Sequence, residues 1–295
     1  MNLTIVEQKR KKCALFVYLG IGLLLLSFIF FFLTSLSYVA QVIFIILGII
    51  TILSGLILLT IGNVQFSRLS KEFKENYVKK AIMEKYPGCI FDPNQGVSYE
   101  ATQQSFIVPH GDRFNSSDLI SGKIEDVSFL TSDCRTEQMR TYTDSKGHTH
   151  TEWVTVFLGR FFMFEFNKNF VGNLIVSENT GNFPSLYNFE KIKMESIDFN
   201  KMFKTYTTND ETAFYILTPH IMEKLMAIQN KYKGFCSFSF IDNIMYFSLY
   251  NNIDTFELRL NKKIDEKFLN SLGDDIQTMK EIVDELKLNV NIFKK

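Results

Sequence analysis

The hydrophobic and polar pattern of the chain is dominated by a run without charge, from Cys13 to Ser67, 55 residues in all. A helix needs roughly 20 apolar residues to cross a ~30 Å hydrocarbon core, so this run predicts two spans. The polar stretch TSLSY, 34–38, interrupts the run near its middle. We predict helices at about 14–34 and 39–62 that form a transmembrane hairpin. A signal peptide would have a shorter apolar segment and no second span.

Basic residues flank both ends of this run, whereas the predicted turn carries no charge. The first flank contains Lys9, Arg10, Lys11 and Lys12. By the positive-inside rule, both termini are expected in the cytoplasm. The second flank is a candidate contact with an anionic lipid surface, and its basic residues are Arg68, Lys71, Lys74, Lys79 and Lys80.

Small residues recur along one side of the second predicted span. Gly48, Gly55 and Gly62 are seven residues apart and therefore lie on nearly one helix face. Because small residues let membrane helices approach closely, we predict that this face packs against the first span. Neither span contains an ionisable Asp, Glu, Lys, Arg or His, so the pattern suggests an anchor and not an ion path.

The pattern after the second span changes to mixed strands and helices. Strands are predicted at 124–132, 153–166 and 172–178, with two more joined around Asp242-Asn243. A capping box of Thr208 and Glu211 predicts one helix, and Thr218 before Pro219 predicts the next at 219–232. Further helices are predicted at 68–86 and at 264–288, the latter with a break at Gly273. The expected fold class is α+β, an antiparallel sheet with packed helices.

These elements predict a chain organised in five segments. They are a basic cytoplasmic tail (1–12), a transmembrane hairpin (13–63), a juxtamembrane basic helix (64–86), an α+β domain (87–263) and C-terminal helices packed on that domain (264–295).

Charge is unevenly distributed although the whole chain is neutral. Residues 1–80 contain nine Lys and Arg against three acidic residues, and the remainder contains 23 against 29. An acidic body argues against nucleic acid as a partner. The four cysteines, at 13, 89, 134 and 236, have no CxxC spacing and give no redox or zinc signal.

The segment KGHTHTEW, 146–153, contains the one arrangement typical of a metal site. On a strand, His148, His150 and Glu152 would point to one face, and a turn centred near Gly147 would bring Asp144 opposite His150. Zinc takes three or four such ligands. We interpret the segment as a solvated hairpin tip, with a metal site as the alternative.

Catalytic signatures are otherwise scarce. Glu165 lies between Phe164 and Phe166, and its pKa would rise if its strand face were buried. The chain has no GxSxG, no Walker-type loop and no GxGxxG after a strand. The sequence therefore favours a function other than catalysis, and it predicts no cofactor.

Two blocks of sequence resemble a known bacterial family. The first contains Phe157, Gly159, Phe161 and Phe162 in FLGRFF and continues into FNKNFVG; the second runs from MESIDFNKMFKTYTTNDETAFYILTP to Met222 and Leu225. The chain is similar to the family catalogued as domain of unknown function 3137, whose members resemble two-span membrane proteins with a soluble domain. The resemblance implies no activity, and it implies a membrane partner of the LemA type.

Three functions remain open at this point. The first is a membrane-anchored cytoplasmic binding or scaffold module that acts through protein contacts at the inner face of the membrane. The second is a membrane-associated enzyme centred on His148, His150 and Glu152 or on Glu165. The third is a sensor of anionic lipid surfaces.

Overall fold

The computed structural model describes residues 3–35, 40–124, 127–165, 171–178, 186, 188–264, 277, 281 and 283–284. Its contacts divide the chain into two compact units. The first unit comprises Met1–Lys80 with Glu257–Ser271, and the second comprises Ala81–Phe256 with Leu272–Lys295. The helix predicted at 264–288 lies mostly outside the described residues.

Two long apolar helices form most of the first unit. Helix α1 spans Leu3–Leu33, and α2 spans Gln41–Phe73 and continues through a π-helical turn, Lys74–Val78, into α3, Lys79–Lys85. Both are long and apolar enough to cross a membrane. Their apolar side chains are largely exposed, as at Phe28 (72%) and Val42 (68%). Such exposure distinguishes them from the buried core helices of soluble proteins and indicates membrane association.

The boundary predicted between the second span and a separate juxtamembrane helix is absent. Helix α2 runs without interruption through 62–68, because the segment GNVQFS contains no proline and no capping arrangement that would end it. The helical character predicted for 68–86 is nevertheless confirmed, with the π-helical turn as its one irregularity.

The glycine face of α2 packs against α1, as predicted. A Cβ atom added at Gly55 would lie 3.0 Å from the Gly20 carbonyl oxygen, and one at Gly62 would lie 2.8 Å from a Val17 methyl group. Gly48 meets the ring of Phe31 in the same way. The absence of a side chain at these positions is what lets the two helices approach.

A later segment of the chain joins this first unit through polar contacts. Glu257 accepts hydrogen bonds from Ser70 Oγ (3.0 Å) and Lys74 Nζ (2.7 Å). Glu7 forms an ion pair with Arg10 at 2.7 Å and accepts a hydrogen bond from the Ile264 backbone N–H at 3.2 Å. Residues 257–264 are therefore held against the ends of α1 and α2.

In the described part of the second unit, nine antiparallel strands form one sheet. Their order across the sheet is β1-β2-β3-β4-β9-β8-β5-β7-β6. The strands are β1 Ile90–Asp92, β2 Arg113–Ile124, β3 Val127–Thr143, β4 Thr149–Glu165, β5 Asn173–Glu178, β6 Glu190–Ile192, β7 Phe203–Thr207, β8 Phe235–Ile241 and β9 Ile244–Tyr250.

Four further helices complete the described part of the second unit and confirm the predicted α+β class. The additional helices are α4 Tyr99–Gln104, α5 Ile197–Met202, α6 Asp210–Ile216 and α7 Pro219–Lys231. Thr218 caps α7 as predicted. The cap of α6 is different, because the side chain of Asn209, and not Thr208, accepts from the Thr212 N–H. Strands β1, β2, β6 and β7 were not predicted. The polar residues of β2 hide its strand pattern, and β1 and β6 are only three residues long.

Phenylalanine rings fill both faces of the sheet. On one face, Phe162, Phe247 and Phe238 occupy neighbouring strands, with ring centroids 5.0 and 4.9 Å apart. On the other face, Phe157 and Phe161 pack with residues of the segment 97–108. Because the central strands are covered on both sides, their sequences are nearly continuously apolar.

Candidate functional sites

The β3–β4 hairpin extends well beyond the rest of the sheet. The β2–β3 ladder ends at the pair Arg113–Glu137, and the β4–β9 ladder starts only at Gly159–Tyr250. Residues 138–154, called the distal arm below, therefore form a ribbon of two strands with no third strand among the described residues. Its six paired positions project about 20 Å, at 3.3 Å per residue.

The distal arm is exposed on both of its faces. Every residue from Met139 to Trp153 is exposed except Asp144. Met139 pairs with Trp153 on one face, and Tyr142 pairs with His150 on the other. The exposed fractions are 53% for Met139, 52% for Tyr142 and 39% for Trp153. Large apolar side chains without a supporting layer are typical of a contact surface.

The arm is ordered by local contacts and not by a core. The guanidinium of Arg113 lies 3.5 Å from the centroid of the Trp153 ring, a close cation–π contact. The ring of Tyr142 stacks on that of His150 at 5.3 Å. These contacts hold the aromatic side chains in place while leaving one side of each exposed to solvent.

The tip of the arm brings both predicted histidines to one carboxylate. Asp144 Oδ2 lies 3.4 Å from His148 Nδ1 and 3.1 Å from His150 Nε2. Asp144 Oδ1 accepts hydrogen bonds from the backbone N–H groups of Lys146 and His148, both at 2.9 Å. The hydrogen bond from His150, with those two backbone donors, lowers the pKa of Asp144.

The predicted turn is present, with Gly147 in the left-handed region at φ 83°. The register differs from the expectation, since Tyr142 and not Asp144 stands directly opposite His150. Glu152 stands opposite Arg140, two pairs further from the tip than Tyr142 and His150. Asp144, His148 and His150 therefore lie together at the tip, whereas Glu152 lies opposite the cationic Arg140. Asp144 already accepts the hydrogen bonds that form the turn. Asp144, His148 and His150 could bind a metal ion only if that turn rearranged.

Glu165 lies at the end of β4 beside a shallow cavity of about 350 Å³. It is exposed, and Asn243 Nδ2 donates a hydrogen bond to its Oε1 at 3.2 Å. Ser128, Leu130 and Met163 are among the other lining residues. No second titratable side chain lines this cavity among the described residues, so the site offers no acid–base pair.

A buried charged cluster in the second unit was not predicted from the sequence. Carboxylate oxygens of Asp118, Asp133 and Asp254 lie within 4.8 Å of one another. Arg160 is 1% exposed, and its Nη1 lies 3.2 Å from Asp133 Oδ1. Asp118 occupies a bulge of β2 and has a positive φ of 58°. The only sequence signal was a single arginine within the apolar strand segment FLGRFFMF.

The contacts of Arg160 indicate that this cluster stabilises the fold. Its Nε donates to Thr131 Oγ1 at 3.1 Å, and its guanidinium lies 4.7 Å from the centroid of Phe256. Asp133 also accepts from the N–H and the hydroxyl of Thr255, at 3.0 and 3.2 Å. The guanidinium supplies the positive charge that a metal ion would otherwise bring, and the cluster fastens residues 254–256 to the sheet.

The five basic residues predicted to contact lipid do not share one environment. Arg68, Lys71, Lys79 and Lys80 are exposed. Lys74 is 7% exposed and forms an ion pair with Glu257, so it serves the interior of the first unit. Its role as a surface contact is not supported by this geometry.

These features define a class of protein: a pair of long apolar helices joined to an α+β domain with a nine-stranded antiparallel sheet. Residues 155–288 match a family model described as "Protein of unknown function (DUF3137)". This match confirms the resemblance found in the sequence.

Comparison with solved structures gives a weaker likeness. The crystal structure of the mycobacterial trehalose monomycolate transport factor A, TtfA, is similar over 72% of this chain and 96% of its own, with a TM-score of 0.41 and 6% identity. A likeness of that degree carries no argument about function. No curated protein matches the chain.

Proposed function

We propose that this protein is a membrane-anchored binding module whose distal arm contacts a partner protein at the cytoplasmic face of the membrane. The observation that carries the proposal is the distal arm itself, a ribbon with exposed Met139, Tyr142 and Trp153 on its two faces. Tyrosine and tryptophan are the residues most enriched among interface hot spots, and methionine is enriched in interfaces generally.

The partner we favour is another membrane protein, and the family resemblance makes a LemA-type protein the first candidate. Anchoring by α1 and α2 would confine the module and such a partner to one membrane. Confinement raises their effective concentration, so a modest contact area on the arm is sufficient for binding.

Site-specific photocrosslinking in cells tests the contact. A photoreactive phenylalanine derivative in place of Tyr142 is expected to capture a defined protein, identified by mass spectrometry. The same residue in place of Phe214, which is 50% exposed on α6, is the matched control and should not capture it. Met139→Ser with Trp153→Ser should weaken capture at position 142 by tenfold or more, since hot-spot residues each contribute over about 1 kcal/mol. Equal capture at positions 142 and 214 would contradict the proposal.

The orientation is tested by cysteine labelling in intact cells. Ser35, in the turn after α1, is exposed, and so is Lys146 at the tip of the arm. With a membrane-impermeant reagent, Ser35→Cys should be labelled and Lys146→Cys should not. The four native cysteines are all buried, so the unmodified chain gives a low background. Labelling of Lys146→Cys would place the arm outside the cell.

A further inference from the structure

We propose a specific site for an anionic phospholipid headgroup between α1 and α2, separate from the distal arm. A cavity of about 300 Å³ opens in the first unit and takes its lining from both helices. Three of the lining residues are cationic, Lys9, Lys12 and Arg68, and one is acidic, Glu72. A volume of this size is at the lower end of small-ligand sites and suits a phosphate with its glycerol.

The cavity lies at the level where phospholipid headgroups would be found. Lys12 is the last charged residue before the uncharged run, and Arg68 is the first after it. The two helices are antiparallel neighbours there, since a Cβ added at Gly62 would lie 3.2 Å from the Cys13 carbonyl oxygen. Lys9 is about 4.5 Å further along α1, at 1.5 Å per residue. The three cations thus span a depth similar to one headgroup layer, about 5–7 Å.

The cavity carries an excess of positive charge. Lys9 Nζ forms an ion pair with Glu72 Oε2 at 3.2 Å. Neither Lys12 nor Arg68 has an ion-pair partner in the part of the chain that the structure describes. Three cations against one carboxylate give a net charge of +2. The planar guanidinium of Arg68 is suited to two parallel hydrogen bonds to phosphate oxygens.

The remaining walls favour a lipid over a soluble anion. Cys13 and Leu69, each 3% exposed, form an apolar part of the lining. Lys12 Nζ lies 5.8 Å from the ring centroid of Phe16, one turn further into the apolar run. A ligand with phosphate at one end and hydrocarbon at the other would use both kinds of surface. The charge of +2 favours a diphosphatidylglycerol headgroup with two phosphates, then phosphatidylglycerol, and disfavours zwitterionic phosphatidylcholine.

This inference rests on the proposed membrane anchoring, which is checked first. Alkaline carbonate washing of membranes should leave the full-length protein in the membrane fraction. Release into the wash would refute the anchoring itself. If the protein stays, failure of the lipid titrations below would refute the headgroup site alone.

Native mass spectrometry of the full-length protein in detergent measures the binding. Tetraoleoyl diphosphatidylglycerol, dioleoyl phosphatidylglycerol and dioleoyl phosphatidylcholine are titrated separately. Lys12→Gln with Arg68→Gln is expected to weaken diphosphatidylglycerol binding roughly thirtyfold. Lys79→Gln with Lys80→Gln removes the same charge from exposed positions of the same unit, outside the cavity, and should change binding less than threefold.

Further titrations separate a site from general electrostatic attraction. Glu72→Gln releases Lys9 and raises the net charge of the cavity, so it should tighten binding. Inorganic phosphate at 10-fold excess over the lipid, on the order of millimolar, should not displace it, because phosphate lacks the hydrocarbon. If both double variants weakened diphosphatidylglycerol binding equally, the lipid would be attracted only by the general positive charge of the surface. That result would refute a specific site in the cavity. Displacement by inorganic phosphate would assign the cavity to a soluble anion and would overturn the lipid.

Discussion

Replacing Arg160 by methionine is expected to destabilise the second unit more than removing any exposed cation. The side chain is 2% exposed, and its ion-pair partner, Asp133, is 4% exposed. Methionine fills much of the same volume without charge. The carboxylate of Asp133 would keep its hydrogen bonds from Thr255 but lose its counterion in a site closed to water.

The magnitude follows from that burial. Breaking a buried ion pair by removing one partner costs about 3–5 kcal/mol, because the remaining charge is uncompensated. For a unit of this size, each kcal/mol lowers Tm by about 2–4 °C. We therefore expect Arg160→Met to lower the Tm of the sheet by roughly 6–20 °C. The assay is thermal unfolding of the full-length protein in detergent, followed by circular dichroism in the region of β-sheet absorption.

Arg135 provides the matched control on a neighbouring strand. It forms an ion pair with Glu137 at 2.6 Å, but its side chain is 52% exposed. Exposed pairs contribute about 0–1 kcal/mol, so Arg135→Met should lower Tm by no more than about 4 °C. Adding Asp133→Asn to Arg160→Met should recover part of the loss, since it removes the uncompensated charge. A Tm for Arg160→Met equal to that of Arg135→Met would refute the reasoning. A large Tm decrease on chelation of the native protein would instead indicate that a metal ion occupies the cluster.

Three further predictions concern other parts of the molecule. Replacing both His148 and His150 by alanine should change stability by less than about 0.5 kcal/mol, and chelation should leave the native Tm unchanged; a chelation effect abolished by this double change would establish a metal at the tip. Gly55→Leu should weaken the helix pair by about 1–3 kcal/mol, seen as an earlier midpoint in denaturation by sodium dodecyl sulfate, because its Cβ would lie 3.0 Å from a backbone oxygen of α1. Burial raises the pKa of Glu178 in the folded protein, so folding favours its protonated form. This contribution to stability is fully present below the unfolded-state pKa and is lost as pH rises through the raised folded-state pKa. Glu178→Gln should therefore raise Tm at pH 8 and leave it unchanged at pH 4, and a decrease at pH 8 would contradict this.

The features that could be predicted from the sequence are those that depend on neighbours along the chain. The uncharged run of 55 residues required two long apolar helices, and the seven-residue spacing of Gly48, Gly55 and Gly62 indicated their packing face. Alternation and turn chemistry located five of the nine described strands, β3, β4, β5, β8 and β9, and the turn at Gly147. These signals are local, since periodicity and backbone preference act over a few residues at a time.

The features that only the tertiary structure decided depend on residues far apart in the chain. Asp118, Asp133 and Asp254 meet only because a bulge, a strand pairing and a later loop bring them to Arg160. In the sequence, Lys74 does not differ from the other basic residues of its flank. In the structure it is buried and forms an ion pair with Glu257, which is 183 residues later in the chain. The distal arm is exposed because the pairing of β2 with β3 and of β9 with β4 ends before the arm begins. Where that pairing ends depends on strands from distant parts of the chain, so the sequence of the arm alone does not determine it. Long-range pairing is selected by burial and charge compensation over the whole fold, which is why local pattern could not determine it.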